Sequence, residues 1–119
     1  MTEPLLIDRS DLFPQQEVLM LSGPLTASNA PVFQNAMRRE EPAETLILDL
    51  TDVPYVDSAG LGLLVSAHVS RQKSGRSMVL SGINPRVQKL FEITRVGQLF
   101  LIFSSPDEAV VALRGAAQA

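Results

Sequence analysis

The stretch from Leu46 to Gly62 reads LILDLTDVPYVDSAGLG and establishes the architecture of the chain. Its first five residues are too apolar for a half-exposed strand, a pattern typical of a strand buried on both faces of a parallel sheet. Its last residues open a helical pattern that Gly75 ends. The apolar stripe of that helix follows the i, i+3, i+4, i+7, i+8 rule, at Leu61, Leu64, Val65, His68 and Val69. The stretch therefore predicts a central strand that leads directly into a long helix.

The rest of the chain alternates between the same two patterns. Short apolar runs predict strands at residues 5–7, 18–21, 78–80 and 100–103. Helical spacing predicts further helices at residues 32–37, 85–91 and 106–113. The resulting order, β-β-α-β-α-β-α-β-α, predicts an α/β fold with a mixed, mostly parallel sheet of four to five strands and about four helices. We expect the first two strands to pair antiparallel, and functional groups to lie at the carboxyl ends of the strands.

Length and composition predict one small globular domain. The 119 residues include 45 % hydrophobic and 19 % charged residues, which suits a single core. We expect that core to span about residues 5–113, with a flexible tail at residues 114–119. No apolar stretch approaches the ~20 residues that a spanning helix needs, and the first residues lack a signal-peptide pattern. These features predict a soluble, cytoplasmic protein without direct membrane insertion.

Residue counts exclude several classes of function. The absence of cysteine excludes disulfides, thiolate metal sites and thiol nucleophiles. His68 is the only histidine, so a metal site with several histidines is excluded too. A formal net charge of −3 argues against binding to nucleic acid, which needs a basic surface. We expect no metal and no cofactor.

The segment from Tyr55 to Gly62 has an unusual composition for the start of a helix. Gly60 and Gly62 each disfavour the helix by roughly 1 kcal/mol relative to alanine. Bare backbone must therefore be needed there, either for tight packing or for the close approach of a partner. Asp57 and Ser58 are both good helix caps. From these residues alone, a capping role and a functional role for Ser58 both stay open.

In this setting the hexapeptide from Asp57 to Gly62, DSAGLG, resembles the phosphorylation segment of the STAS family, as in bacterial anti-sigma factor antagonists. The resemblance extends from the turn at residues 23–25 to about Leu113. It includes the apolar run at residues 46–50, Asn84-Pro85-Arg86-Val87 and Leu90-Phe91. The family implies a protein-binding module rather than an enzyme. It further implies that an anti-sigma factor that is also a serine kinase phosphorylates Ser58, that the unphosphorylated form binds that kinase and frees the sigma factor, and that a phosphatase restores binding.

The resemblance implies a site without catalytic residues. Ser58 is its phosphorylation site, and its partner-binding residues are Thr26, Asp57, Ser58, Ala59, Gly60, Leu61 and Gly62. Two positions depart from the family pattern. Thr26 stands where an acidic residue often helps to contact the kinase, and Ala59 stands where a second serine often follows. Ser58 is consequently the only hydroxyl in the hexapeptide.

A serine hydrolase is the obvious enzymatic alternative for Ser58. Its nucleophile elbow, Gly-x-Ser-x-Gly, would need glycine where Val56 stands. His68 lies ten positions further along the same predicted helix, about 15 Å up its axis at ~1.5 Å per residue. It cannot serve as the base for Ser58, and we expect it to be a partly buried packing residue.

A dinucleotide-binding fold and a phospho-accepting receiver domain both lack their defining residues. The dinucleotide-binding turn would need a third glycine where Val65 stands. The receiver domain would need a lysine after a late strand, and neither Lys73 nor Lys89 is so placed.

The hexapeptide does not exclude a STAS subunit of a lipid or other transporter complex, with Ser58 unphosphorylated.

The remaining charged residues have ordinary interpretations. Arg71, Lys73 and Arg76 are expected at a solvated helix end, where cations favour the helix dipole. Arg86 and Lys89 flank the short helix near the same sheet edge as Ser58, on an exposed face.

Overall fold

Five strands form one sheet in the order β1-β2-β3-β4-β5. The computed structural model describes residues 3–13, 15–39 and 42–118. The strands are β1 (Leu6–Phe13), β2 (Gln16–Ser22), β3 (Thr45–Asp52), β4 (Ser77–Ser81) and β5 (Ile102–Phe103). β1 and β2 pair antiparallel, and every later neighbour is parallel. The predicted mixed, mostly parallel sheet is confirmed.

Within the residues that the structure describes, four helices connect or follow the strands. They are α1 (Ala30–Met37), α2 (Ser58–Lys73), α3 (Pro85–Thr94) and α4 (Pro106–Gln118). Two short 3-10 helices, Ala27–Asn29 and Val96–Leu99, precede α1 and follow α3. The starts of α2 and α3 carry strong local signals, since Asp57 caps the first and Asn84 followed by Pro85 begins the second. None of the described helices has the length and apolar character required to cross a membrane.

The core lies on both faces of the sheet. The larger cluster joins β-strand residues to Phe33 of α1, Leu64 of α2 and Phe91 of α3. The smaller one lies under α4 and contains Val18, Ile47, Val79 and Ala109. On β3, Ile47 and its neighbour Leu48 are both fully buried, on opposite faces. The prediction of a strand buried on both faces is therefore confirmed for β3.

Several element boundaries differ from the sequence prediction. β1 continues to Phe13, because an edge strand can carry polar side chains on its outward positions and the apolar run marks only its start. β5 has only two residues, Ile102–Phe103, and the second 3-10 helix ends at Leu99, just before the predicted strand would begin. α4 runs to Gln118 instead of ending near Leu113. The flexibility of the tail stays a prediction, and Ala119 lies outside the described residues.

The apolar stripe of α2 is narrower than predicted. Leu61 and Leu64 are buried, and Val65 and His68 are partly buried. Val69 is 40 % exposed. At 3.6 residues per turn, Val69 lies roughly 80° around the axis from Leu61, at the margin of the stripe.

The prediction of a solvated helix end is wrong for Arg71. Its Nε donates to the Ser77 carbonyl oxygen at 2.9 Å, and its Nη2 donates to the Ala43 carbonyl oxygen at 2.6 Å. The side chain thereby ties the end of α2 to the segments that enter β3 and β4. Burial lowers the pKa of the Arg71 guanidinium from its ordinary value; the charge of Glu17 opposes this effect and that of Arg76 adds to it.

Candidate functional site

The loop between β3 and α2 places Ser58 at the carboxyl edge of the sheet. It runs beside the segment that follows β2, because Leu25 and Val56 form an isolated parallel bridge. The Leu25 N–H donates to the Tyr55 carbonyl oxygen at 3.1 Å, and the Asp57 N–H donates to the Leu25 carbonyl oxygen at 3.2 Å. Both bridge side chains are buried. The start of α2 is therefore anchored to the rest of the fold by backbone contacts.

Asp57, rather than Ser58, is the helix cap. Its backbone is extended, and its Oδ1 accepts a hydrogen bond from the Gly60 N–H at 2.7 Å. Its Oδ2 accepts a second one from the Ala27 N–H at 3.2 Å. One carboxylate thus joins the start of α2 to the start of the first 3-10 helix. Ser58 is the first residue of α2 and is exposed, so its hydroxyl is not the N-cap group of the helix.

Gly60 and Gly62 have different structural roles. Gly60 is buried, and a Cβ atom there would overlap the Leu25 carbonyl oxygen and lie 2.7 Å from its carbonyl carbon. The expectation that Gly60 exposes backbone to a partner is wrong, since its backbone is in contact with Leu25. Gly62 is exposed, and a Cβ atom there would meet nothing within 4 Å. Of the two explanations for bare backbone, tight packing therefore applies to Gly60, and nothing inside the fold requires a glycine at 62.

The other predicted site residues divide between surface and core. Leu61 is 7 % exposed and belongs to the core, so its side chain points away from any partner. Ala59 is exposed, and Thr26 is half-buried with its Oγ1 at 3.0 Å from the Ser28 Oγ. We call Thr26, Ser58, Ala59 and Gly62 the Ser58 surface. These four residues come from two chain segments that the Asp57 carboxylate holds together.

A groove between α1 and α2 adjoins the Ser58 surface. Its volume is about 400 Å³, and Ala59 and Gly62 lie on its wall. The other residues that line it are Phe33, Gln34, Met37, Arg38, Leu63, Ser66 and Ala67. Sequence pattern does not predict this groove, because helical spacing in α1 identifies Phe33 and Met37 only as core residues.

The loop that follows β4 supports the segment before Ser58. The Asn84 Nδ2 donates to the carbonyl oxygens of Val53 at 3.2 Å and Pro54 at 3.1 Å, while its Oδ1 caps α3 at the Val87 N–H. The Arg86 guanidinium carbon lies 4.9 Å from the centre of the Tyr55 ring. The sequence pattern marks the Asn-Pro-Arg stretch only by its family resemblance, and it does not predict these supporting contacts.

The histidine of α2 packs against the core. The ring of His68 is partly buried and packs against Phe100 of the core, with ring centres 5.1 Å apart, and it lies ten residues along α2 from Ser58. The prediction of a packing histidine is confirmed. Among the residues that the structure describes, no three acidic or histidine side chains come together in a way that could hold a metal ion.

Comparison with known proteins supports the family resemblance. The sequence pattern of the STAS domain family matches residues 13–109. An anti-sigma-B factor antagonist of Listeria monocytogenes is 35 % identical over 86 residues, which cover 71 % of this chain and 75 % of that protein. An anti-sigma-B factor antagonist of Bacillus subtilis is 30 % identical over 91 residues, covering 76 % of this chain and 84 % of that protein.

Solved structures match over nearly the whole chain. An anti-sigma factor antagonist from Mycobacterium paratuberculosis has a TM-score of 0.80 at 21 % identity, covering 92 % of this chain and 94 % of that one. A sulfate transporter family protein from Wolinella succinogenes reaches 0.81 at 20 % identity, with 92 % and 93 % covered. The anti-sigma factor antagonist SpoIIAA in its unphosphorylated form reaches 0.77 at 18 % identity, with 92 % and 97 % covered. Its phosphorylated form reaches 0.67 at 17 % identity, with 91 % and 99 % covered.

At these identities the structural matches show the fold alone. The match to the family pattern, however, covers most of the sequence. The chain therefore belongs to the STAS domain family.

Proposed function

We propose that this protein is an anti-sigma factor antagonist whose binding to a kinase-type anti-sigma factor is switched off by phosphorylation of Ser58. The observation that carries the proposal is the exposed Ser58 at the first position of α2, beside a cap that another residue provides. The names of the Listeria and Bacillus relatives support the antagonist role. In this proposal the unphosphorylated form binds the kinase and frees the sigma factor, in the cytoplasm, and a phosphatase regenerates it.

The start of α2 can accept a phosphate without loss of the fold. Phosphorylation adds about −1.5 to −2 charges and three acceptor oxygens at neutral pH. A helix N-terminus favours an anion through its free N–H groups and its dipole. The Asp57 carboxylate opposes this by repulsion, but Ser58 is exposed, so solvent and salt screen much of that cost. The modified protein should therefore keep its structure.

The phosphate instead changes what the Ser58 surface offers to a partner. A docked kinase would have to strip water from the dianion or supply a cation to it, and a surface complementary to a neutral hydroxyl does neither. A loss of about 3–4 kcal/mol weakens binding by two to three orders of magnitude, at tenfold for each 1.4 kcal/mol. The switch thus acts by charge and desolvation at one exposed residue.

The test is to incubate the purified protein with ATP and a kinase-type anti-sigma factor from the same organism, and to measure intact mass and binding. We expect one phosphate on wild type and none on Ser58→Ala, with Ser58→Ala still binding the kinase. Ser58→Asp should fold normally and bind about 100- to 1,000-fold more weakly by calorimetry. Ser70→Ala is the matched control, since Ser70 is an exposed serine further along α2. It should behave as wild type.

Equal affinity of Ser58→Asp and wild type, with no phosphate on Ser58, would overturn the proposal. An enzymatic function is not part of it: robust turnover that survives Ser58→Ala and repurification would contradict the proposed role as a binding module. A transporter subunit is the competing function, and fold likeness, such as that to the sulfate transporter family protein, is the observation in its favour. Binding to a transporter component, with no binding to the kinase, would favour that function.

A further inference from the structure

A cleft lies at the carboxyl ends of β4 and β5, away from the Ser58 surface. Its volume is about 620 Å³, within the range of roughly 300–1,000 Å³ that is usual for small-molecule sites. The residues that line it are Ile83, Gln88, Phe91, Glu92, Arg95, Gly97, Gln98, Ile102, Phe103 and Ser104. Ligands of α/β proteins commonly bind outside the carboxyl ends of parallel strands. None of the residues of the Ser58 surface lines this cleft.

The lining combines an apolar floor with a polar rim. Half-buried Ile83 and Ile102 give the floor its apolar surface, and Phe91, which is buried, stacks on Phe100 with ring centres 5.9 Å apart. Gln88, Gln98 and Arg95 provide hydrogen-bond donors around it. An apolar group would suit the floor, and an anionic group would suit the donors.

Arg95 is the cation of this rim, and it is available to a ligand. The three ion pairs among the described residues join Arg9 and Arg39 to Glu17, and Arg39 to Asp11, so Arg95 takes part in none. The acidic residue of the rim, Glu92, accepts a hydrogen bond from the Gln88 amide at 3.5 Å.

The backbone at Arg95 is also unusual. Its φ of 61° and ψ of 21° put it in the left-handed region, at the end of α3. Glycine is the common residue at such a position, because a side chain is disfavoured there. Arginine therefore occupies this position at a backbone cost where glycine would serve the turn, and strain of this kind is a pointer to function.

We propose that this cleft binds a small carboxylate with an apolar body. The apolar body lies against Ile83 and Ile102, and the carboxylate pairs with the Arg95 guanidinium, whose planar fork matches its two oxygens. A carboxylate suits the rim better than a phosphate dianion, because Arg95 is the one cation in the lining and Glu92 would repel the second negative charge. The proposal does not depend on phosphorylation of Ser58.

The test is an NMR titration of the ¹⁵N-labelled protein with 2-naphthoate. We expect saturable shifts in the amides of Gly97, Gln98 and Ser104. The neutral analogue 2-naphthalenemethanol should bind about tenfold more weakly, because it cannot form the charge-assisted pair. Ser58→Ala should give the same titration as wild type.

Variants of α3 and its end distinguish the cleft from non-specific binding. Arg95→Gln should weaken naphthoate about tenfold, since one charged hydrogen-bond pair is lost. Lys89→Gln is the matched control, because it removes an exposed cation of the same helix that does not line the cleft. Arg95→Gly should fold, because glycine retains the left-handed turn. It should also lose the preference for the carboxylate over the neutral analogue. Shifts that spread over the surface without saturation, or equal losses in Lys89→Gln and Arg95→Gln, would overturn the proposal.

Discussion

Gly60 and Gly62 lie two residues apart in the first turns of α2, yet only the first touches another part of the fold. A methyl group at Gly60 collides with the backbone of Leu25, which the parallel bridge to Val56 holds in place. A methyl group at Gly62 projects into open space. The sequence contains both glycines but cannot assign their roles, because the partner segment of Gly60 lies 35 residues away (60 − 25).

The first prediction at this scale compares Gly60→Ala with Gly62→Ala. Gly60→Ala should lower the free energy of unfolding by about 3 kcal/mol, because relief of the clash requires movement of backbone. Gly62→Ala should leave that free energy unchanged or raise it by up to about 1 kcal/mol, since alanine favours an exposed helix. Denaturant unfolding of both variants measures the difference. Similar effects of the two substitutions would contradict the assignment of packing to Gly60.

The second prediction concerns Gly62 in the partner complex. Gly62→Leu fits the free protein, because nothing lies within 4 Å of the added Cβ atom, so the melting temperature should stay close to that of wild type. The leucine side chain would project beside Ala59 into the groove between α1 and α2, where a docked kinase would meet it. We expect affinity for the kinase to fall at least about tenfold, which corresponds to 1.4 kcal/mol. A lower melting temperature with unchanged affinity would instead mean that Gly62 serves internal packing.

At the scale of elements, two hydrogen bonds from Arg71 connect the end of α2 to the amino-terminal ends of β3 and β4. The two carbonyl oxygens that it reaches belong to Ala43, just before β3, and to Ser77, the first residue of β4. A basic residue in a last helical turn ordinarily indicates only a favourable dipole interaction, so the sequence pattern could not reveal these contacts. These two hydrogen bonds hold the carboxyl-terminal end of α2 in place against the sheet that positions Ser58.

Arg71→Lys should therefore not be conservative. The single ammonium group of lysine cannot reproduce two bonds from a planar fork, so one half-buried carbonyl loses its partner. We expect the free energy of unfolding to fall by about 1–2 kcal/mol. Lys73→Gln is the control, because Lys73 is exposed in the same turn and should stay within about 0.5 kcal/mol of wild type. Equal stability of Arg71→Lys and wild type would show that the two hydrogen bonds contribute nothing.

The order of elements could be predicted because each strand and helix has its own local pattern. The apolar run identifies β3, and Pro85 with the spacing of Val87 and Phe91 identifies α3. The short length of β5 could not be predicted, since the stretch from Phe100 to Phe103 is uniformly apolar and gives no sign that only its last two residues pair with β4. Local pattern identifies an element more reliably than it locates its ends.

At the scale of the whole molecule, the sequence predicted the position of Ser58 but not the surfaces around it. Ser58 and Asp57 are consecutive, so their place at a strand-to-helix junction follows from local pattern. The groove beside them combines α1 with α2, and the cleft combines α3 with β5. Concave surfaces of this kind bring together residues that are distant in the chain, and alternation of strands and helices does not determine which side chains line them.

The sequential strand order has a consequence for synthesis on the ribosome. Each strand pairs with the strand before it in the chain, so every newly released strand joins a free edge of the sheet. No strand has to enter between two others that have already paired, which would require an earlier pairing to break. Once Ser81 has left the ribosome, β3 has both of its neighbours and α2 has a sheet to pack against. The nascent chain can thus assemble the end of the molecule that carries Ser58 before α3, β5 and α4 have been translated.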